Sequence, residues 1–258
     1  MRFNHYRLWI IGLLSLLLVS LLMAQNTKVK ALLAEAEKLH DAKDYQGTMT
    51  KLQEAEKLDK DNPEILWKMA RAYFDFADQD PENLELQKTN IYTGFEYAKR
   101  CVEIAPNVAG GHQYYAILIG RIGEIEGTKQ KITNSYAVKE HTLKAIELDP
   151  TEDSNYHVMG RWNYALADLS WVERQIASVI YAKPPTASFE SAVEFFTKAH
   201  KLNPTDIRHL LWLGKSYAKL GQKGKAMDAL KQALAITATT DSEKNMHQEA
   251  KEILEDLQ

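Results

Sequence analysis

The residues of this chain with the widest chemical range are eight histidines and one cysteine, and their spacing limits what they can do. The histidines stand at positions 5, 40, 112, 141, 157, 200, 209 and 247. None falls in an H-E-x-x-H frame and no C-x-x-C pair exists, so no metal site is expected. Cys101 has no second thiol to pair with, which excludes an intrachain disulfide. Gly110-Gly111 lacks the remainder of a phosphate-binding loop and reads as a turn. No G-x-S-x-G elbow occurs. Lys139-Glu140-His141 could pair an acid with a base, but a solvated helix face accounts for it. An enzyme is therefore not expected, and no cofactor is implied. What remains is recognition by charge and aromatic surface.

Three cations recur in one setting. Arg71, Arg161 and Lys215 each follow a small residue, Ala70, Gly160 and Gly214. Arg121 and Lys219 lie one turn further along the corresponding helices. Trp67, Gln113, His157 and Arg208 come earlier on the same face, and Phe74 and Tyr164 add aromatic surface. A guanidinium suits carboxylates and phosphates because its fork donates two parallel hydrogen bonds. These eleven residues are the candidate partner-binding groove. The competing reading is ordinary helix-surface charge, and Arg161 could instead pair with Asp168.

The elements that position them follow from a repeat. Ala55, Cys101, Ala145, Ala199 and Ala233 are small residues at helix ends, each followed by Leu or Ile three places on. Pro106, Pro150 and Pro204 follow the middle three and stop those helices. From Ala199 to Ala233 is 34 residues, the tetratricopeptide (TPR) period. Leu210, Leu213, Gly214 and Tyr217 match the first helix of that unit, and Ala226, Leu230 and Ala233 match the second. Leu66, Met69, Ala70 and Tyr73 open the second unit, and Tyr156, Met159 and Gly160 open the fourth. Ala36, Leu39, Leu52 and Ala55 form a looser first unit. The predicted fold is all-α: a TPR-like right-handed superhelix of about five helix-turn-helix units spanning residues 28–258. TPR arrays bind on the concave face built from their A helices, which is where the groove residues fall.

The other intervals are longer: 46, 44 and 54 residues. The extra length is expected between the A and B helices. Asp78–Gln87 reads as a polar loop, and Glu126–Ile132 marks a second insert. The third is Leu169–Ala192, where Val172, Ile176, Val179 and Ile180 make a helical apolar stripe expected to pack on neighbouring repeats. Pro184-Pro185 should end that helix, and Ser188 should cap the next. The tail, with Asp241 as its expected N-cap and Glu243 in its first turn, reads as a polar capping helix.

The ends and the charge set the setting. Leu8–Met23 is an uncharged run behind Arg2, His5 and Arg7. Residues 1–24 therefore read as a signal peptide or an N-terminal membrane anchor, attaching through residues 8–23. The expected location is exported, periplasmic or secreted, or membrane-anchored. With 32 Lys and Arg against 35 Asp and Glu, the net charge is −3, which argues against general nucleic-acid binding.

Three segments carry a resemblance beyond a generic repeat. Ile132–Pro150 (ITNSYAVKEHTLKAIELDP), Met159–Ala177 (MGRWNYALADLSWVERQIA) and Pro184–Pro204 (PPTASFESAVEFFTKAHKLNP) resemble the regulator of microtubule dynamics family. The resemblance covers roughly residues 28–238. It implies a TPR-like domain without enzymatic activity. Animal members are associated with microtubules, the spindle and mitochondria, and some sit at membranes. The signal-like N-terminus departs from that pattern and resembles bacterial members, so a microtubule role would require cytosolic exposure. The expected function is an interaction scaffold for an acidic peptide or protein surface. The alternative is a carrier or sensor of an anionic amphipathic ligand such as a phospholipid.

Overall fold

The computed structural model describes residues 3–79, 83–180 and 186–258, without the side chains of 3–19, 21 and 180. The expected leader or anchor at 8–23 therefore falls largely outside the described side chains, and Pro184-Pro185 lies outside the described residues. Twelve α-helices and no strand occur among the described residues.

Five antiparallel hairpins form the array. They are α1 (Phe3–Asp41) with α2 (Tyr45–Glu56), α3 (Pro63–Gln79) with α4 (Leu84–Ile104), and α5 (Ala109–Glu126) with α6 (Thr128–Leu148). The last two are α7 (Asp153–Ala167) with α9 (Phe189–Leu202) and α10 (Ile207–Lys219) with α11 (Lys223–Ala235). Helix α8 (Trp171–Ile180) is inserted in the fourth hairpin, and α12 (Asp241–Asp256) closes the array. The A helices also touch one another along one side: α3 with α5, α5 with α7, α7 with α10, and α10 with α12.

The small residues of the B helices show why the hairpins close. Ala55, Cys101, Ala145, Ala199 and Ala233 are all fully buried. On the A helices, a Cβ on Gly160 would come within 2.5 Å of the Phe196 ring, and one on Gly214 within 2.7 Å of Leu230. Glycine at these two slots lets a large buried side chain of the B helix fill the space beside the backbone. Burying a side chain such as Phe196 contributes roughly 2–3 kcal/mol.

Helix starts are set by short polar side chains. Asp44, Asn83, Glu152, Ser188 and Asp206 each accept a hydrogen bond from a backbone N–H in the first turn that follows. Ser188 caps α9 as expected. The cap of α12 is Thr240, one residue before the expected Asp241. Thr240 and Glu243 form a reciprocal capping box, which Asp241 could not do at that spacing.

The inserts differ from expectation. Asp78–Gln87 is not one polar loop: α3 runs through Gln79, and Asn83 caps an α4 that begins at Leu84. The segment from Glu126 to Ile132 is no loop either. Gly127, with φ 92°, makes the reversal alone, and α6 starts at Thr128. Most of the extra length has gone into 17- to 21-residue helices.

The third insert does form a short helix, but its stripe does not pack as expected. Val172 is 58% exposed and Val179 is 87% exposed, whereas Ala177 is buried. Helix α8 rests on α6 through the flank that carries Ala177. Val172 and Val179 lie on the other flank of this ten-residue helix.

Candidate functional site

The candidate residues come from the A helices, and the structure places a partner beside each cation. Arg71 is buried on α3, where its guanidinium donates to both carboxylate oxygens of Glu37 on α1, at 2.9 and 2.8 Å. Lys68 donates to the same carboxylate. Hydrogen bonding from Arg71 holds the Glu37 carboxyl down at about 2, despite partial burial. Burial works against the charge of Arg71, and Glu37 outweighs it, so the arginine is held firmly protonated. Both Arg71 and Lys68 also lie over the Trp67 ring, at 5.2 and 4.5 Å. Trp67 in turn stacks on Tyr114 of α5, with Phe74 tilted against the same ring.

Arg161 on α7 occupies the matching slot and has a different environment. Its side chain is 42% exposed, and its nearest carboxylate, Glu124 of α5, stands 3.7 Å away. Burial of the head group lowers its pKa against the attraction of Glu124, and the nearby Arg121 and Arg208 lower it further. Arg161 sits 4.0 Å from the centre of the Trp212 ring, as does the ammonium of Lys215. Tyr164 meets Trp212 edge-on, and Phe196 stacks on it. Trp212 thus carries two cations, as Trp67 does, but here one of them is half-exposed and only loosely paired.

The remaining cations are tied to carboxylates of their own. Lys215 donates to Glu249 of α12 at 2.5 Å, Lys219 to Asp168 at 2.7 Å, and Arg121 to Glu124 at 3.0 Å. Asp168 is thus taken by Lys219, and Arg161 faces Glu124 instead. Arg208 clamps Asp206 through Nε and one terminal nitrogen, at 2.9 and 2.5 Å. These hydrogen bonds outweigh the burial that opposes its charge. Gln113 donates to Glu152 at 3.3 Å. Several of these bonds join one A helix to the next: Glu37 to Arg71, Gln113 to Glu152, Asp168 to Lys219, Lys215 to Glu249.

Histidine chemistry missed by motif reading appears in two pairs, one buried and one part-buried. His157 and His209 face each other through Nδ1 at 3.0 Å, and His112 and His141 do so at 2.9 Å. Each contact needs one ring to donate and the other to accept, so each pair can hold one shared proton. Burial, followed by Arg208, His209 and Arg161, pushes His157 well below the ordinary imidazole range. His209 also meets Asp153 at 2.7 Å. Donor atoms of Asp153, Asp206 and His209 lie within 4.8 Å of one another, close enough to hold a cation. Arg208 already supplies a positive charge there. Cys101 is buried with its thiol pushed up to about 11, so it carries no thiolate at neutral pH.

The sequence reading missed Trp212, Tyr114 and the acidic partners other than Asp168, which it offered to Arg161 rather than Lys219. One signal could have found two of those acids. Glu37 precedes Arg71 by 34 residues and Glu249 follows Lys215 by 34, the repeat period itself.

Comparison with known proteins gives this geometry a family context. A family model described as Regulator of microtubule dynamics protein 1-3 matches residues 32–258. Regulator of microtubule dynamics protein 1 of Mus musculus is 37% identical over 235 residues, covering 90% of this chain and 76% of the mouse protein. The Bos taurus protein of that name is 37% identical over 236 residues, covering 90% and 73%. Regulator of microtubule dynamics protein 3 of Rattus norvegicus is 30% identical over 233 residues, covering 87% and 48%. Among solved structures, a thermophilic TPR protein of Thermus thermophilus superposes with a TM-score of 0.61 at 15% identity, over 86% of this chain and 98% of that one. That likeness speaks for the TPR-like fold alone. The expectation of an exported or membrane-anchored chain is overturned by the relatives, which are named for microtubules, cytosolic polymers. Among the described residues, no helix is long and apolar enough to cross a membrane.

Proposed function

This chain belongs to the regulator of microtubule dynamics family, and from that premise we propose that it is a non-enzymatic scaffold that captures an acidic protein segment on its A-helix face. The observation that carries the reading is the Arg161–Trp212–Lys215 stack, with Arg161 half-exposed and loosely paired. Exposed ion pairs are worth only about 0–1 kcal/mol, so an incoming carboxylate can replace Glu124 beside Arg161 at little cost. Trp212 and Tyr164 then supply apolar surface beside the charge, as hot spots do. Arg121, Arg208 and Lys219 extend the positive surface. Arg71, Gln113 and His157 are buried and held by internal partners, and with Trp67 and Phe74 they form its inner wall.

The relatives' name makes the microtubule the first partner to test, since tubulin tails are acidic. Cosedimentation should recover the protein with intact microtubules and lose it when the tails are removed by subtilisin. Retention on tailless microtubules would rule out the acidic-tail reading. The anionic-lipid alternative is tested by solvent extraction of the natively purified protein. A stoichiometric lipid found by mass spectrometry would replace the peptide reading.

A further inference from the structure

The first hairpin of the array meets the start of its closing helix, α12. Lys43, in the turn between α1 and α2, donates from Nζ to Thr239 Oγ1 at 2.8 Å and to Glu243 Oε1 at 3.3 Å. These bonds span 196 and 200 positions of sequence. The receiving end is prepared for the contact. The backbone and hydroxyl of Thr239 and the backbone of Thr240 all donate to Glu243 Oε2, which leaves Oε1 for Lys43. Those hydrogen bonds hold the Glu243 carboxyl at about 2 although burial opposes ionisation. The donating end is prepared as well. Lys43 has φ 61°, the left-handed residue that ends α1: its N–H donates to His40 O at 2.8 Å and that of Asp44 to Leu39 O at 2.9 Å, which fixes the backbone of the turn from which the side chain reaches out. Tyr45, just beyond that turn, has its hydroxyl pKa raised by burial first and then by Asp75, Asp78 and Glu243.

The Lys43 bonds tie the turn of the first hairpin to the start of α12, at the far end of the array. We propose that this contact is a latch that regulates access to the A-helix face, an inference that rests on the partner-binding reading above. The closing bonds are exposed: Lys43 is 44% and Glu243 30% accessible. Exposed ion pairs of this kind are weak and salt-screened. A contact of that strength opens and recloses readily, unlike the forked Glu37–Arg71 pair at the same end, whose arginine is only 10% exposed. An acidic partner competes directly with Glu243 for Lys43, so the approaching ligand favours the open form. Only a differential interaction of this sort lets a ligand shift such an equilibrium.

The test is a distance measurement on the full chain. Spin labels at Ala42→Cys and Lys244→Cys flank the latch on its two sides, and the native Cys101 is buried. Double electron–electron resonance should give one short distance at low salt. Lys43→Glu should add a longer population, as should 0.5 M salt, with the helical signal unchanged. A single short distance in Lys43→Glu would overturn the latch. Lys43→Gln, which removes charge without repulsion, should give an intermediate result and guards against local misfolding. The second measurement is association of a fluorescein-labelled oligo-glutamate peptide by stopped flow. With the latch correct, Lys43→Glu speeds association at least threefold. If the distance shifts but association does not, the contact opens without guarding the face and the proposal fails. If no variant and no wild-type sample binds the peptide, the partner-binding reading fails, and the distances still report on whether the ends separate.

Discussion

Arg71 and Arg161 stand at the same slot of the repeat, each directly after the small residue of an A helix, and the fold gives them opposite settings. Arg71 is buried, forked onto Glu37 and backed by Lys68. Arg161 is 42% exposed, 3.7 Å from its carboxylate, and rests on an indole that it shares with Lys215. The difference lies one repeat away, in what the preceding A helix offers. Helix α1 presents Glu37 in register, at the period of 34, whereas α5 presents Glu124 out of register and engaged with Arg121. One slot therefore serves cohesion at the N-terminal end of the array and exposed charge at the C-terminal end.

Breaking the two arginines should separate these roles most strongly. Arg71→Ala strips Glu37 of its forked donor and leaves Lys68 to hold it alone. A cost of about 2–3 kcal/mol is expected, read from urea unfolding. Arg161→Ala removes a loose, half-exposed pair and should cost under about 1 kcal/mol in the same assay. Equal losses would erase the distinction.

Packing beside the second arginine gives a comparable effect by another route. Gly160→Ala places a methyl against the Phe196 ring and should cost about 1–3 kcal/mol. Gly224→Ala meets nothing within 4 Å near the start of α11 and should be neutral or slightly stabilising, by about 0.5 kcal/mol. The pair controls for glycine replacement as such, and thermal unfolding checks it.

Acid sharpens the comparison further. His157 is depressed in the folded protein, so between that low value and the ordinary imidazole pKa the unfolded chain binds more protons. Stability should therefore be full above about pH 6.5 and fall as the pH drops below it. Glu37 is also depressed, so its contribution is present above the ordinary carboxylate value of 4.5 and is lost as pH falls toward 2. Acid unfolding should thus weaken the His157 region before the Glu37 pair. The Arg71→Ala variant should lose only the second of the two phases. Loss of the first phase in that variant would contradict the assignment.

Much of the fold was legible because its constraint is local and repeated. Small residues at Ala55, Cys101, Ala145, Ala199 and Ala233 report a steric demand that recurs in each hairpin, and all five are fully buried. Ser188 was legible as a cap because capping needs only the next three residues. The inserts were not legible. A polar stretch such as Asp78–Gln87 looks like a loop, but helix length is set by what packs against it, and one capping Asn83 or one Gly127 makes the turn. The stripe of α8 failed for a related reason. Periodicity shows that Val172 and Val179 share a side, not whether a neighbour covers it.

At the candidate site, the sequence identified the cations but not their partners. Pairing across helices depends on register between repeats, and only the intervals of 34 made it visible. The two histidine pairs join residues 29 and 52 positions apart, so no short motif could show them. The N-terminal run suggested export by composition alone, whereas kinship with proteins named for microtubules overturned that expectation.

The central claim is that the Arg161–Trp212–Lys215 stack, not the Arg71 pair, carries partner binding. Fluorescence anisotropy with a labelled oligo-glutamate peptide tests it most directly. Arg161→Ala combined with Lys215→Ala should weaken binding at least tenfold, with unfolding by urea little changed. Wild-type affinity in that double variant would contradict the account.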